Sequence, residues 1–321
     1  MRIFLAGLST RKWVILAEQS RAEQSRAEQS RAEDDKMKIF LAGGNQKEQI
    51  IPLVHGNDEN ISNGWNEMKI YLACVAPWKE EGLYDKSIRK HKPFILESFY
   101  YAGEWTEKML PLFGDFMLDS GAFTFCGTGG FHEHEFEEYL ERYADFINRN
   151  SIEKFFELDV DSIVGYEKVL KYRKKLEKLT NRQCIPVWHI ARGKEEFLRH
   201  CDEYSYVALG GYVAAIKNGD PRQRAYVKMY PWFISEAHKR DTKIHGLGFT
   251  NLKGLEMYHF DSVDSTAWTT GNRFGYIYRF DGRTMQKIVR PEGKILADSK
   301  KVALNNYIEW IKFQKYAEEN L

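Results

Sequence analysis

The segment Asp115-Phe116-Met117-Leu118-Asp119-Ser120-Gly121-Ala122-Phe123 reads as a short buried strand that ends in an acidic turn containing glycine. Similar apolar runs precede and follow it, and helical patterns fill most of the gaps between them. The eight predicted strands are Lys69–Val75, Phe94–Ser98, Asp115–Asp119, Phe155–Asp159, Ile185–Ile190, Tyr206–Gly210, Lys243–Gly248 and Phe260–Asp264. Strands that alternate with helices predict parallel βα units, and a closed (β/α)8 TIM barrel is the simplest way to arrange eight of them. We therefore predict an α/β fold of this kind.

An open, doubly wound sheet is the alternative arrangement of the same elements. It would need a glycine-rich phosphate-binding turn after the first strand. The segment Ala73-Cys74-Val75-Ala76-Pro77 contains no glycine. The length also suits a barrel, because 321 residues hold a barrel of roughly 250 residues together with an extension.

Repetition sets the first 67 residues apart. Met1–Gly7 recurs as Met37–Gly43 and, in modified form, as Met68–Cys74, so the chain carries three copies of what reads as one first strand. A tandem Ala-Glu-Gln-Ser-Arg run from Ala17 to Arg31 separates the first two copies and has no apolar stripe. Only the third copy has the spacing that a first strand needs. We predict an N-terminal extension over residues 1–67, disordered or a lone exposed helix, and a barrel domain over residues 68–321.

The composition is that of a globular chain, with 43% hydrophobic and 29% charged residues and a net charge of +1. Nucleic-acid binding would therefore need a local basic patch. The four cysteines form no C-x-x-C pair, so a disulfide framework is not expected. No apolar run approaches the roughly 18 residues of a membrane span. We predict a cytoplasmic protein that does not enter a membrane.

Polar residues and glycines follow most of the predicted strands. The active site of a TIM barrel forms where the strands end, so these residues are the candidate site. They are Asp119-Ser120-Gly121, Asp159, His189, Arg192, Gly210-Gly211-Tyr212, His245-Gly246, Asp261 and Asp264. A single aspartate after a strand is equally well explained as a helix N-cap, but capping is a poorer explanation for three strands at once. Glycines at three strand ends indicate that a flat ligand approaches the backbone closely.

Clustered carboxylates suit two kinds of chemistry. One carboxylate can attack an anomeric carbon while another exchanges a proton with the leaving group. Carboxylates could instead bind a metal, but the H-x-H spacing of His132-Glu133-His134 follows the third strand's glycine loop and is better read as the start of a helix. We predict no metal and no cofactor.

The ordered set of motifs resembles the tRNA-guanine transglycosylase superfamily, and most of all the phage 7-deazaguanine DNA transglycosylases of the DpdA-like branch. Asp119-Ser120-Gly121-Ala122-Phe123 is similar to the family's Asp-Ser-Gly-Gly-Phe. Leu158-Asp159, Gly210-Gly211, Gly246-Leu247-Gly248 and the run from Phe260 to Trp268 follow in the same order. The resemblance extends from Met68 to Trp268. Each motif alone is weak, and the first is the most specific.

The resemblance implies base exchange through a covalent glycosyl-enzyme. An aspartate attacks C1′ of a guanosine, guanine leaves, and a 7-deazaguanine such as preQ0 takes its place. Asp119 would then be the acid/base, and Asp159 would bind the purine edge, where guanine presents its N1–H and 2-amino donors. Phe123 or Tyr212 could stack on the base, with core packing as the alternative for each. Further substrate contacts would come from Ser120, Gly121, His189, Arg192, Gly210, Gly211, His245 and Gly246.

The nucleophile has two candidates. The family's Phe-Asp-Cys-Val aligns with Phe260-Asp261-Ser262-Val263 and favours Asp261. Asp264 lies nearer the carboxyl end of the predicted strand, and its Val-Asp-Ser-Thr context resembles the phage branch. Because strand residues alternate between faces, Asp261 and Asp264 should point to opposite sides. We favour Asp264.

Departures from the tRNA enzymes bear on the substrate. Their C-x-C-x-x-C zinc motif is absent because no cysteine follows Cys201, and the glutamine of their fifth strand is replaced near His189 or Arg192. These departures favour DNA over tRNA, and a guanine in duplex DNA would have to be flipped out. Arg89–Lys92 and Arg222–Arg224 are candidate phosphate contacts. Arg173–Lys175 is better explained as a solvated helix face.

Other functions fit the same residues. A tRNA-guanine transglycosylase would share the chemistry and differ in the nucleic acid. A glycoside hydrolase of TIM-barrel fold would use paired carboxylates and release no free base. A non-catalytic barrel could serve beside partner proteins of a DNA-modification system. For a phage protein, the cytoplasm in question would be that of the host.

Overall fold

A computed structural model of the chain describes residues 68–73, 84–122, 133–210, 228–249, 252–289 and 299–321. The predicted extension over residues 1–67 lies outside them. Seven parallel strands form the main sheet: β1 Lys69–Ala73, β2 Phe94–Ser98, β3 Asp115–Asp119, β4 Val187–Trp188, β5 Tyr206–Leu209, β6 Lys243–Gly246 and β7 Ser262–Ser265. Their order across the sheet is β3-β2-β1-β7-β6-β5-β4, so β1 pairs with both β2 and β7. The sheet is a curled half-barrel with helices packed on it.

The described helices lie mostly between the strands, as the sequence pattern predicts. They are α1 Asp85–His91, α2 Glu104–Met109, α3 Glu133–Arg149, α4 Asp161–Val164, α5 Tyr166–Thr180, α6 Lys194–Glu203, α7 Tyr230–His238, α8 Leu252–Leu255, α9 Ala267–Phe274 and α10 Ser299–Asn320. Two short 3-10 turns, Leu110–Leu112 and Ile190–Arg192, complete the connections. Helix α3 begins at Glu133, the second residue of His132-Glu133-His134, and His132 lies outside the described residues.

Alternation along the strands separates two cores. One set of side chains meets on the inner face of the curled sheet, and its members are Tyr71, Ala73, Phe94, Leu96, Met117, Phe156, Ile185, Val187 and Ala208. Their neighbours Ile70, Leu72 and Ile95 pack with the helices on the outer face. Residues that alternate in phase with this inner set, nearer the carboxyl ends of the strands, therefore also face the inside of the curled sheet.

The closed eight-stranded barrel predicted from the sequence is wrong. The continuous sheet has seven strands and is open, with β3 and β4 at its edges. The predicted fourth strand, 155–159, forms only two isolated bridges, from Phe155 to Leu118 and from Phe156 to Ile185.

Around residues 155–159, side chains form hydrogen bonds with backbone groups that would otherwise pair between neighbouring strands. The amide of Val187 donates to the Glu157 carboxylate at 2.8 Å. The hydroxyl of Tyr143 lies 3.0 Å from the carbonyl of Phe156, where a strand amide would otherwise donate. Pairing on both sides of residues 155–159 therefore ends after one bridge.

The C-terminal part of the chain contains an element that the predicted strands omit. An antiparallel hairpin, β8 Tyr276–Phe280 and β9 Met285–Val289, follows α9. The turn is held by Asp281, whose carboxylate accepts from the amides of Arg283 and Thr284. Helix α10 then returns along the outer face, where Gln314 Nε2 donates to the Phe94 carbonyl at 2.9 Å. The dipeptide Asp281-Gly282, between runs rich in aromatic and β-branched residues, is a hairpin signal that the predicted set of eight barrel strands did not include.

Candidate active site

The predicted site residues lie at the carboxyl ends of the parallel strands. Asp119 ends β3, Gly246 ends β6, and Asp264 is the third residue of β7. His189 and Gly210 directly follow β4 and β5. Because the strands are parallel, all these ends belong to one edge of the sheet, which we call the carboxyl edge. Ligand sites of parallel α/β sheets form at this edge.

The turn after β3 is fixed by its own hydrogen bonds. The amide of Gly121 donates to Oδ2 of Asp119 at 3.0 Å, and the hydroxyl of Tyr139 donates to the carbonyl of Ser120 at 2.7 Å. Gly121 has φ +80°, a conformation that glycine adopts without strain. A Cβ at this position would lie 2.8 Å from the Tyr139 hydroxyl. The Asp-Ser-Gly sequence thus forms a tight turn that holds the Asp119 carboxylate at the carboxyl edge.

Two buried tyrosines of α3 support this turn. The hydroxyl of Tyr143 lies 3.0 Å from the carbonyl of Leu118, one residue before Asp119. Burial raises the pKa of both Tyr139 and Tyr143, and the negative charge of Asp119 raises each further. Both hydroxyls therefore keep their protons and act as hydrogen-bond donors to the backbone around Asp119.

Asp159 and His189 form a close ion pair. Nε2 of His189 lies 2.6 Å from Oδ2 of Asp159. Burial lowers the pKa of His189, but the charge and hydrogen bond of Asp159 outweigh burial and raise it to about 9. At neutral pH the ring is therefore an imidazolium whose Nε2 donates to Asp159. An imidazolium carries two N–H donors, whereas the carboxylate only accepts.

Arg192 orients the carboxylates beside this pair. Its Nη2 donates to Oδ1 of Asp159 at 2.8 Å and to Oδ2 of Asp161 at 3.2 Å. Its Nη1 donates to Oε1 of Glu157 at 2.8 Å, and the guanidinium lies 4.3 Å from the centre of the Tyr166 ring. Only 1% of the Arg192 side chain is exposed. The structure therefore places Arg192 behind Asp159, where it positions that carboxylate.

Glu157 is fully buried between two arginines. Nε of Arg173 donates to Oε2 of Glu157 at 2.7 Å, while Arg192 bonds to Oε1. Burial raises the pKa of Glu157, but the two guanidinium charges outweigh it and lower the value to about 2. The prediction of a solvated helix face is wrong for Arg173, which is 2% exposed. A charged residue inside the apolar run Phe155-Phe156-Glu157-Leu158 was the signal that a buried ionic partner must exist.

Asp159, Asp161 and His189 have ligand atoms within 4.8 Å of one another. Two carboxylates and an imidazole at this spacing are groups that can bind a cation. Here the guanidinium of Arg192 bonds to both carboxylates, and Nε2 of His189 is engaged with Asp159. The arrangement is a salt-bridged cluster whose negative charge is already balanced by side chains.

Gly210 leaves room for the imidazole of His189. A Cβ at position 210 would lie 2.4 Å from Cε1 and 2.7 Å from Nδ1 of that ring. Any side chain there would displace His189 from Asp159. Gly246 is placed differently, because a Cβ there would meet Phe249 and Phe260 at 3.2 Å. Gly210 therefore shapes the candidate site, and Gly246 packs against aromatic rings.

Asp264 is held at the carboxyl edge by two donors. The amide of Gly248 donates to its Oδ1 at 2.6 Å, and Nε2 of His245 lies 3.3 Å from the same oxygen. The residue is 8% exposed and His245 is fully buried. Within the described part of the chain, no donor bonds to Oδ2 of Asp264. Among the described residues, therefore, only Oδ1 is anchored.

Asp261 lies at the opposite end of the same strand. It directly precedes β7, and its Oδ2 accepts from the amide of Ile244 at 2.8 Å and lies 3.0 Å from Nε2 of His238. Its carbonyl accepts from the amide of Lys69. The structure does not bring Asp261 to the carboxyl edge, where Asp264 lies.

The described residues contain most of the predicted site. Phe123, Gly211 and Tyr212 lie outside them. Sequence reasoning did not select Glu157, Tyr139 or Ser262 as part of the site or its support. Tyr139 and Ser262 carry no local signal, because their importance follows from hydrogen bonds to elements distant in the chain.

A comparison with models of known protein families gives no match, and no curated protein matches the chain. Across the described ranges, none of the helices combines the length and apolar content that crossing a bilayer requires.

Proposed function

We propose that this protein is a base-exchanging transglycosylase that replaces guanine in DNA with a 7-deazaguanine. The observation that carries the proposal is the state of Asp264. Its two hydrogen bonds to described residues end on Oδ1, and Oδ2 has no donor among those residues. A carboxylate held in this way at the carboxyl edge, on the same edge as Asp119, is suited to nucleophilic attack.

The exchange would proceed in two displacements. Oδ2 of Asp264 forms a bond to C1′ while the bond from C1′ to N9 breaks, and its electron pair leaves on the guanine ring. Asp119 supplies the proton that the departing base takes up. The incoming 7-deazaguanine then attacks C1′ through N9, gives its N9 proton to Asp119, and releases the Asp264 carboxylate. Two carboxylates in these two roles are the usual solution for displacement at an anomeric carbon.

Asp159 and His189 would recognise the base. The Asp159 carboxylate can accept from the N1–H and 2-amino groups of guanine, since each of its oxygens has a lone pair beyond those used by Arg192 and His189. His189 would contribute by orienting the Asp159 carboxylate, since its Nε2 bonds to that carboxylate and its Nδ1 is buried beside Gly210. A 7-deazaguanine keeps this edge, so one pocket serves both bases. Gly210 allows the base to approach by keeping the His189 ring close to the backbone.

DNA is the proposed macromolecular substrate, on the strength of the departures from the tRNA enzymes in the sequence. A cytoplasmic setting, that of the host for a phage protein, belongs to the same proposal, as do partner proteins that open the duplex. The described cysteines Cys184 and Cys201 are buried free thiols, which suits a reducing compartment.

The test is direct incorporation of base. Wild-type protein is incubated with labelled preQ0 and either guanine-containing DNA or tRNA, and the nucleic acid is digested to nucleosides. We expect label in the DNA nucleosides and none with Asp264→Asn. Label in tRNA alone would reject DNA and keep the chemistry. Release of guanine without incorporation would replace the proposal with a hydrolase.

A further inference from the structure

A chain of buried polar side chains leads to Asp264 along the inner face of the sheet. The hydroxyl of Tyr206 lies 2.5 Å from Oγ of Ser262, and the same Oγ lies 2.5 Å from Nδ1 of His245. Nε2 of His245 then lies 3.3 Å from Oδ1 of Asp264. Ser262 and His245 are 1% and 0% exposed, so water does not compete for these contacts. The chain spans three strands, β5, β7 and β6 in that order.

The chemistry of the groups gives the chain a direction. An ionised Asp264 can only accept, so Nε2 of His245 must carry a hydrogen. In a neutral imidazole Nδ1 is then an acceptor, and the Ser262 hydroxyl donates to it. The Ser262 oxygen in turn accepts from Tyr206, whose pKa is raised by burial, so that it keeps its proton. Every donor in the chain thus points toward Asp264.

The imidazole of His245 is also fixed by its neighbours. Its ring centre lies 5.4 Å from that of Phe156 and 6.2 Å from that of Tyr71 in an edge contact. Both rings belong to the inner-face core and pack against the imidazole. The Asp264 carboxylate therefore sets which nitrogen carries the hydrogen, the Ser262 hydroxyl supports that tautomer by donating to Nδ1, and packing orients the ring.

We propose that Tyr206, Ser262 and His245 form a positioning relay that holds His245 as its Nε2–H tautomer and thereby aims Asp264. With Gly248, the relay anchors Oδ1 and leaves Oδ2 for C1′. The role rests on the proposed function, because Asp264 is the nucleophile only in that reaction. When the ester forms at Oδ2, Oδ1 becomes its carbonyl oxygen and keeps both donors. When the ester breaks, the same donors receive the returning charge.

The relay makes a prediction that a purely structural role does not. In the hydrogen-bond chain, Ser262 and His245 stand between Tyr206 and Asp264, so Tyr206 does not touch the nucleophile. Tyr206→Phe and Ser262→Ala should therefore lower kcat while leaving KM for DNA within twofold. The loss of one buried hydrogen bond predicts a decrease in kcat of about tenfold. Tyr71→Phe is the matched control. It also removes a hydroxyl from the inner face, but that hydroxyl donates to Asp115 at 2.9 Å and lies outside the relay.

Two measurements test the relay and the proposed reaction independently of each other. The first is exchange of radiolabelled guanine into duplex DNA, and into tRNA in parallel, for wild type and the three variants after a thermal melt confirms that each is folded. The second is the nitrogen-15 spectrum of His245 in the full-length protein. We expect the Nε2–H tautomer in wild type and Tyr71→Phe, and a shifted Nδ1 resonance in Ser262→Ala, where that nitrogen loses its hydrogen-bond donor.

The outcomes are distinct. An Nδ1–H tautomer in the wild type, or unchanged kcat in both Tyr206→Phe and Ser262→Ala, overturns the relay. A wild type that exchanges guanine into neither nucleic acid overturns the proposed function. In that case the wild-type tautomer and the response of the Nδ1 resonance to Ser262→Ala decide whether the hydrogen-bond chain has the proposed direction.

Discussion

Asp261 directly precedes β7 and Asp264 lies within it, and the two carboxylates bond to different parts of the fold. Asp261 accepts from the Ile244 amide and contacts His238 of α7, while Asp264 accepts from the Gly248 amide and contacts His245 at the carboxyl edge. Sequence alternation alone predicts only that the two carboxylates face different sides. Their hydrogen bonds give each a separate role, one in holding the sheet and one at the candidate site.

This difference predicts a clean separation of activity from stability. Asp264→Asn should reduce base exchange by roughly a thousandfold or more, because an amide is a far poorer nucleophile than a carboxylate, with little change in unfolding free energy. Asp261→Ala should leave the amide of Ile244 without its acceptor and cost about 1–3 kcal/mol, with kcat retained. Urea titrations and exchange kinetics measure both. A stable but inactive Asp261→Ala protein would contradict the assignment.

The sequence predicted the individual strands and helices better than it predicted whether the sheet closes into a barrel. Strand positions and most helices follow from hydrophobic periodicity, which depends on neighbouring residues. The absence of the predicted fourth strand depends on Glu157 and Tyr143, whose side chains take the backbone partners of residues 155–159. Competition of this kind arises only after distant elements meet, and no pattern within the segment reveals it.

The candidate site shows the same contrast between what neighbouring residues reveal and what depends on contacts between distant parts of the chain. Asp119, Asp159 and Asp264 could be found because acidic residues directly follow or end buried strands. The partners that tune them come from elsewhere in the chain: Tyr139 from α3 supports the turn after Asp119, and Arg173 from α5 pairs with Glu157. A basic run on a helix looks solvated in the sequence, and only the fold turns one of its members inward.

Stability should depend on pH through His189. The pKa of its imidazole rises from the ordinary 6.5 to about 9 in the folded protein. The folded state therefore binds the proton more tightly than the unfolded chain, and this contribution is complete below pH 6.5 and lost as the pH rises through 9. A tenfold difference in proton affinity corresponds to about 1.4 kcal/mol. Urea unfolding from pH 6 to pH 10 should show a decline that His189→Gln reduces. An unchanged profile in that variant would contradict the ion pair with Asp159.

The buried Glu157 should be sensitive even to an isosteric change. Glu157→Gln leaves the guanidinium groups of Arg173 and Arg192 without their shared carboxylate, and breaking a buried ion pair costs about 3–5 kcal/mol. Glu153→Gln is the control, since that side chain is 74% exposed beside Arg182. An exposed pair contributes about 0–1 kcal/mol. Equal unfolding free energies for the two variants, measured by chemical denaturation, would show that the arginines find other partners.

Gly210 should control base binding through a contact that no other residue type permits. Gly210→Ala places a Cβ 2.4 Å from the His189 ring, which must then move away from Asp159. We expect KM for the free base to rise about tenfold or more, because the donors of the guanine edge lose an oriented acceptor, while the protein stays folded. Gly103→Ala is the matched control, since a Cβ there meets nothing within 4 Å. The pKa of His189, followed by NMR, should fall toward 6.5 in Gly210→Ala as the imidazole leaves its carboxylate. A variant with an unchanged His189 pKa and an unchanged KM would mean that the ring tolerates the extra methyl group and that the glycine serves the backbone alone.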